Sequence, residues 1–173
     1  MRGPYHHFLL LEEAKHHYVD YMRFIRSDDE RIDIPDYFIW YMGDTLKWVP
    51  ARYPSKRSDG PRIYGLNHYG PTIITSEGGE ILRHVCGAWA HLLSQGPELL
   101  RLRGPYMTEI QEDPVQTGDK ELFDGQALRV SAMFGGYQDL EFDREDLVQR
   151  LQALARYAEQ VMTGRFYILH LGI

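Results

Sequence analysis

The chain has 173 residues, 43% of them hydrophobic and 25% charged. That composition suits one globular domain spanning 1–173 and excludes a largely disordered chain. A chain of this length buries roughly two-thirds of the surface that its unfolded form exposes, so it needs no metal or disulfide staple, and its single cysteine, Cys86, excludes an internal disulfide.

No stretch reaches the ~20 consecutive apolar residues of a membrane helix. Glu12, Glu13 and Lys15 interrupt the opening apolar run before it can serve as a signal peptide. The expectation is a cytoplasmic protein without a membrane partner. Net charge is −6, and it is concentrated: positions 109–146 hold eleven acids against three bases, while positions 1–108 balance. A concentrated acidic segment is poorly suited to nucleic-acid phosphates and better suited to a basic protein surface. An ordinary solvated acidic face is the alternative.

In chain order, Phe8, Leu11, Ala14, Tyr18, Tyr21 or Met22, and Ile25 recur at helical steps, which predicts an amphipathic helix over 5–26. A second helix is expected over 35–48, capped by Asp33, with Pro35 in its first turn and Phe38, Ile39, Met42 and Leu46 on its buried face. Positions 50–71, rich in Pro and Gly, read as irregular and basic, with Arg52, Lys56, Arg57 and Arg62. A third helix is expected over 77–95, capped by Thr75 or Ser76, with Ile81, Val85, Ala88 or Trp89, and Leu92 on its buried face.

Short strands follow at 99–102, 106–110 and 128–134, divided by turns at Gly104-Pro105, Thr117-Gly118-Asp119 and Asp124-Gly125. A last helix opens on Asp143 as N-cap, with Phe142 and Leu147 as a hydrophobic staple. Leu147, Leu151, Leu154, Ala158 and Val161 line one face, and Gly164 ends it. The closing segment 165–173 is apolar in both directions, as in a strand covered on both faces. These elements make an α+β fold: three or four amphipathic helices on a small antiparallel or mixed sheet, with the C-terminal strand in the sheet interior.

No pattern of residues marks a catalytic centre. Glycine pairs at 78–79 and 135–136 match neither a P-loop nor a dinucleotide fingerprint, and His-Glu-x-x-His and Cys-x-x-Cys are absent. The expectation is a chain that is not an enzyme and uses no cofactor or metal. Glu13-x-x-His16 and the pair Glu80 and His84 are the nearest approach to a His/carboxylate site. His170, in the apolar terminal strand, reads as a hydrogen-bonded, buried or half-buried histidine. Cys86 reads as a small buried residue. Aromatic residues are 13% of the chain, and Tyr and Trp are the side chains that most often anchor interfaces.

The opening Tyr5-His-His-Phe-Leu-Leu-Leu-Glu-Glu-Ala-Lys15, the block Ile34-Pro-Asp-Tyr-Phe-Ile-Trp-Tyr-Met-Gly-Asp-Thr-Leu-Lys-Trp48, and the close Glu141-Phe-Asp-Arg-Glu-Asp-Leu-Val148 with Tyr167-Ile-Leu-His-Leu-Gly172 resemble bacterial immunity proteins encoded beside polymorphic or contact-dependent toxins. The resemblance implies a cytosolic protein that binds a cognate toxin domain and blocks it stoichiometrically. On the residues' own evidence, the acidic middle with its aromatic residues is the candidate partner face: Tyr106, Glu109, Glu112, Asp113, Asp119, Glu121, Asp124, Tyr137 and Asp139. Two further readings stay open: a small metal-dependent hydrolase using a site such as Glu13, His16, Glu80 and His84, or a homodimeric structural or regulatory subunit.

Overall fold

The structure is a computed structural model that describes residues 5–12, 31–54, 61–111 and 132–172; over 107–111 and 132–134 it describes the backbone alone. The fold is α+β. In chain order the strands are β1 (Tyr5–Glu12), β2 (Arg31–Pro35), β3 (Pro50–Arg52), β4 (Arg62–Tyr64), β5 (Pro71–Ile74), β6 (Leu99–Gln111), β7 (Ala132–Asp143) and β8 (Phe166–Leu171). The helices are α1 (Asp36–Tyr41), α2 (Gly43–Leu46), α3 (Ser76–Ser94) and α4 (Arg144–Val161). Two compact units result: Met1–Leu100 with Glu141–Ile173, and Arg101–Leu140.

The first unit is built on a six-stranded sheet in the order β2-β1-β8-β5-β3-β4, antiparallel at every pairing. The terminal strand β8 lies in the interior, as its two-sided apolar character predicts. Register sets the two faces. Phe8 pairs with His170 and Ile32, His6 with Ile34, Thr72 with His170, and Ile74 with Ile168. Directly opposed residues share a face, so these side chains line one side of the sheet. Leu9, Leu11, Tyr167, Leu169 and Leu171 form a buried cluster on the other side, with Ile73 packed against it.

The segment at 5–26 corrects the sequence reading. Residues 5–12 are a strand, and residues 13–26 lie outside the described set. Phe8, Leu9 and Leu11 are all buried because the strand is covered on both faces, and such a strand loses the strict alternation that separates it from a helix. The predicted second helix is also broken. It starts at Asp36 with Pro35 as N-cap, and it divides at Met42 into α1 and α2. Asp33 caps nothing, because it lies in β2 paired opposite His7. Phe38, Ile39, Met42 and Leu46 are nevertheless buried as expected, while Trp40 is half exposed.

Helix α3 buries Gly78, Gly79, Leu82, Val85, Cys86, Ala90 and Leu93. This face is rotated one position from the expected one, and Leu92 is exposed. The two glycines explain the rotation. A Cβ on Gly78 would collide with the Pro50 carbonyl of β3, and one on Gly79 would come within 2.9 Å of the Ala158 carbonyl of α4. The backbones approach too closely there for any side chain. Helix α4 follows the sequence reading closely. The Asp143 carboxylate accepts from the Asp146 N–H at 2.8 Å, and Leu147, Leu151, Leu154, Ala158 and Val161 are buried. Gly164 takes φ +75° just past the end, the left-handed turn that glycine favours. Phe142 meets Phe38 edge to face at 5.7 Å.

Residues 50–71, expected to be irregular, contain the short strands β3 and β4 and reach the first residue of β5. Arg52 and Arg62 on them reach the Glu77 carboxylate at 3.7 and 2.7 Å, at the start of α3 where a carboxylate is favoured.

In the second unit, β6 and β7 form a two-stranded sheet. Strand β6 runs unbroken through Gly104-Pro105, where a turn was expected. A Cβ on Gly104 would come within 3.0 Å of the Gln138 carbonyl, so this glycine marks a close strand approach and not a turn. The expected turns at 117–119 and 124–125 and the strand start at 128–131 lie outside the described residues. Among the described residues, no helix is long and apolar enough to cross a membrane.

Candidate functional site

Two groupings of side chains invite a functional reading. The first is on the β6–β7 sheet. Tyr106 and Tyr137, named from the sequence as candidate partner contacts, stand edge to face with ring centroids 5.3 Å apart. Each is more than half exposed, at 57% and 59%. The Arg103 guanidinium lies 4.9 Å from the Tyr137 ring centroid, a cation–π contact. A Cβ on Gly135 would overlap the hydroxyl end of Tyr106, so the glycine leaves room for that side chain. Asp139 is exposed on the same sheet. Glu109 lies in β6 with only its backbone described, and Glu112, Asp113, Asp119, Glu121 and Asp124 lie outside the described residues.

The second grouping is in the first unit, where one end of the sheet delivers polar side chains to a single point. On the face that carries Phe8, His6 is diagonal to His170 of β8, because Phe8 stands opposite His170. Asp36 follows β2 directly and lies diagonal to His6 on the other side, since His6 stands opposite Ile34. Diagonal neighbours are within reach of long side chains. His68 arrives from the turn ahead of β5. That turn is pinned by the Asn67 N–H donating to Thr72 Oγ1 at 2.8 Å and by Gly172, whose missing Cβ leaves room for the carbonyls of Asn67 and His68.

The resulting chain of contacts is short. His6 Nδ1 is 2.7 Å from His170 Nε2. His6 Nε2 is 2.9 Å from Asp36 Oδ1, and His68 Nε2 is 2.8 Å from the same oxygen. His6 and His170 are stacked, with centroids 5.0 Å apart and 12° between planes, and Phe8 covers His170 at 4.9 Å. A carboxylate only accepts, so His6 and His68 each donate from Nε2. His6 Nδ1 then accepts from the Nε2–H of His170. That leaves His170 Nδ1 bare, and it is buried without a hydrogen-bond partner among the described residues.

Burial dominates the protonation of this group. It lowers the pKa of His170 well below the ordinary imidazole value, and the neighbouring His6, His68 and His7 push the same way. For His6, burial again lowers the pKa and outweighs the opposing hydrogen bond to Asp36. Both rings are therefore neutral in the fold, while in the unfolded chain they protonate near 6.5. The unfolded state then binds more protons below that pH, so stability falls as pH drops below about 6.5 and continues to fall until the folded protein itself protonates. Each ring contributes a slope of up to about 1.4 kcal/mol per pH unit. Urea midpoints in metal-free buffer between pH 7 and pH 5 measure this. A His170→Phe variant with an unchanged pH slope contradicts it.

The other sequence candidates are not brought together. His84 is exposed and bonded to Arg83, Glu80 is exposed on α3, and Glu13 and His16 lie outside the described residues. His7 points to the opposite sheet face and meets Asp33 at 2.6 Å. Cys86 is wholly buried, as expected of a small apolar residue, and burial raises its thiol to about 12, leaving no thiolate for chemistry. Sequence reasoning singled out His170 but found no partner for it, and Asp36 and His68 carried no signal. The available clue was that a histidine inside an apolar strand must be hydrogen-bonded, with its partner on a strand paired to it. No family model, curated protein or solved structure matches the chain.

Proposed function

We propose that the protein is a stoichiometric inhibitor of the immunity class, which binds a basic toxin domain through the face of the β6–β7 sheet that bears Tyr106 and Tyr137, with the negative charge of the surrounding sequence drawing that partner in. The observation that carries this reading is the exposed Tyr106–Tyr137 pair. Two large aromatic rings held against each other in water form a preorganised anchor, with less rotamer freedom to lose on binding than flexible side chains have. Asp139, exposed on the same sheet, and the other ten acids of positions 109–146 attract a cationic partner and speed its encounter. The resemblance of the three sequence blocks to immunity proteins points the same way.

The test is co-expression with the product of the adjacent open reading frame, followed by binding measurements. Co-purification is expected, with protection of the host cell from that product. Anchors at the centre of an interface are worth ≥2 kcal/mol each on truncation to alanine, so Tyr106→Ala with Tyr137→Ala is expected to weaken binding by at least about 100-fold. Raising salt from 50 to 500 mM is expected to slow association. Full affinity in the double variant rejects this face, and failure of the two products to associate rejects the reading.

A further inference from the structure

We infer that His6 Nε2, Asp36 Oδ1 and His68 Nε2 form a binding site for a divalent cation of the zinc class. These three atoms all lie within 4.8 Å of one another. They come from a strand, the first turn of a helix and a pinned turn, so the fold, and not local sequence, brings them together. Two imidazoles and one carboxylate are the ligand types that zinc prefers, whereas calcium and magnesium prefer all-oxygen sets. Tetrahedral zinc with bonds of about 2.0–2.1 Å needs its ligand atoms about 3.3 Å apart. The two His–Asp separations, 2.9 and 2.8 Å, need to open by about half an ångström to admit it.

Access and support are both present. The His6 side chain is fully buried, while Asp36 is 13% exposed and His68 32%. An ion therefore enters from the His68 side, and three protein ligands leave a fourth position for water or another ligand. The interior side is braced. His170 holds the far nitrogen of His6, as the outer partner of a metal-bound histidine does.

The protons balance without any being released from the rings. In the metal-free form His6 carries its proton on Nε2, where it donates to Asp36. With the ion bound, that nitrogen gives its lone pair to the metal and the proton resides on Nδ1, donating to His170 Nε2. The proton of His170 then moves to its Nδ1, the buried atom that has no partner among the described residues. His68 likewise changes from the Nε2–H to the Nδ1–H form. The bare Nδ1 of His170 thus receives the proton that metal binding displaces along the pair.

Zinc chloride titrated into the full chain, followed by calorimetry and by nitrogen spectra of 15N-histidine-labelled protein, tests this. One equivalent is expected to bind. His6 and His68 are expected to show metal-bound Nε2, and His170 to change from the Nε2–H to the Nδ1–H form. His68→Ala removes a partly exposed ligand and is expected to weaken binding by at least about 100-fold, beyond the 10–100-fold seen when only an outer partner is lost. His84→Ala, at an exposed position of α3 bonded to Arg83, is expected to change nothing. Absence of a stoichiometric site overturns the inference. So does binding that leaves the His6 and His170 nitrogen signals unmoved, a result read on the unmodified protein and independent of any variant's folding.

Discussion

Ending the chain at Arg165, just ahead of β8, abolishes the fold. This strand is third of six and is hydrogen-bonded on both sides, to β1 from His7 to Glu12 and to β5 from Pro71 to Ile74. Without it the sheet divides into β2-β1 and β5-β3-β4, and each remnant exposes a new edge. Tyr167, Ile168, Leu169 and Leu171 are each at most 5% exposed. Fully burying such a side chain is worth about 1.5–3 kcal/mol, so the four together supply roughly 6–12 kcal/mol. Whole domains are stable by only about 5–15 kcal/mol, which makes this loss decisive. The shortened chain is expected to lose its near-ultraviolet circular dichroism and its dispersed amide spectrum. A cooperative thermal transition in that chain refutes the account. A synthetic peptide of residues 166–173 added in trans is the complementary measurement, because it restores the same hydrogen bonds.

Phe38→Ala has the second-largest expected effect. Phe38 is completely buried where α1 meets α3 and the start of α4. It faces Tyr41 at 6.3 Å, Trp89 edge-on at 6.1 Å, and Phe142 edge-on at 5.7 Å. Removing a buried phenyl ring costs about 3–5 kcal/mol, because the cavity closes only partly. Collapse is hindered here, since Trp89 is itself tied by its indole N–H donating to Thr45 Oγ1 at 3.0 Å. For a domain of this size the loss corresponds to a fall in Tm of roughly 6–20 °C. Trp40, two residues on and half exposed, is the control, and Trp40→Ala is expected to change stability by less than about 1 kcal/mol. Equal effects of the two substitutions contradict the packing described.

The same aromatic segment shows how far local patterning reaches. Residues Phe38, Ile39, Met42 and Leu46 fall on one helical face whether the helix is continuous or divided, so their burial is legible from spacing alone. Helix α4 is legible in full. Its cap, its apolar face and its stop are all written within 22 residues, and each is set by contacts between near neighbours in sequence. Strand β8 is legible because an apolar run in both directions admits an inner strand. In β1 the same physics misleads. Phe8 and Leu11 satisfy a helical step, and only pairing with β2 and β8 makes the segment a strand. The rotated face of α3 is likewise a matter of contact, fixed by the Pro50 and Ala158 backbones against Gly78 and Gly79.

By itself the sequence determined the α+β class, the cap and buried face of α4, the inner position of the last strand and the burial of His170, because all of these depend on periodicity and on the chemistry of neighbours. Tertiary structure alone decided which side chains meet. His6 and His170 are 164 positions apart, and Tyr106 and Tyr137 are also distant in sequence. Each pair exists because strand register places one residue beside the other, and register is chosen by the summed burial of whole strands. No signal at the paired residues themselves encodes that choice.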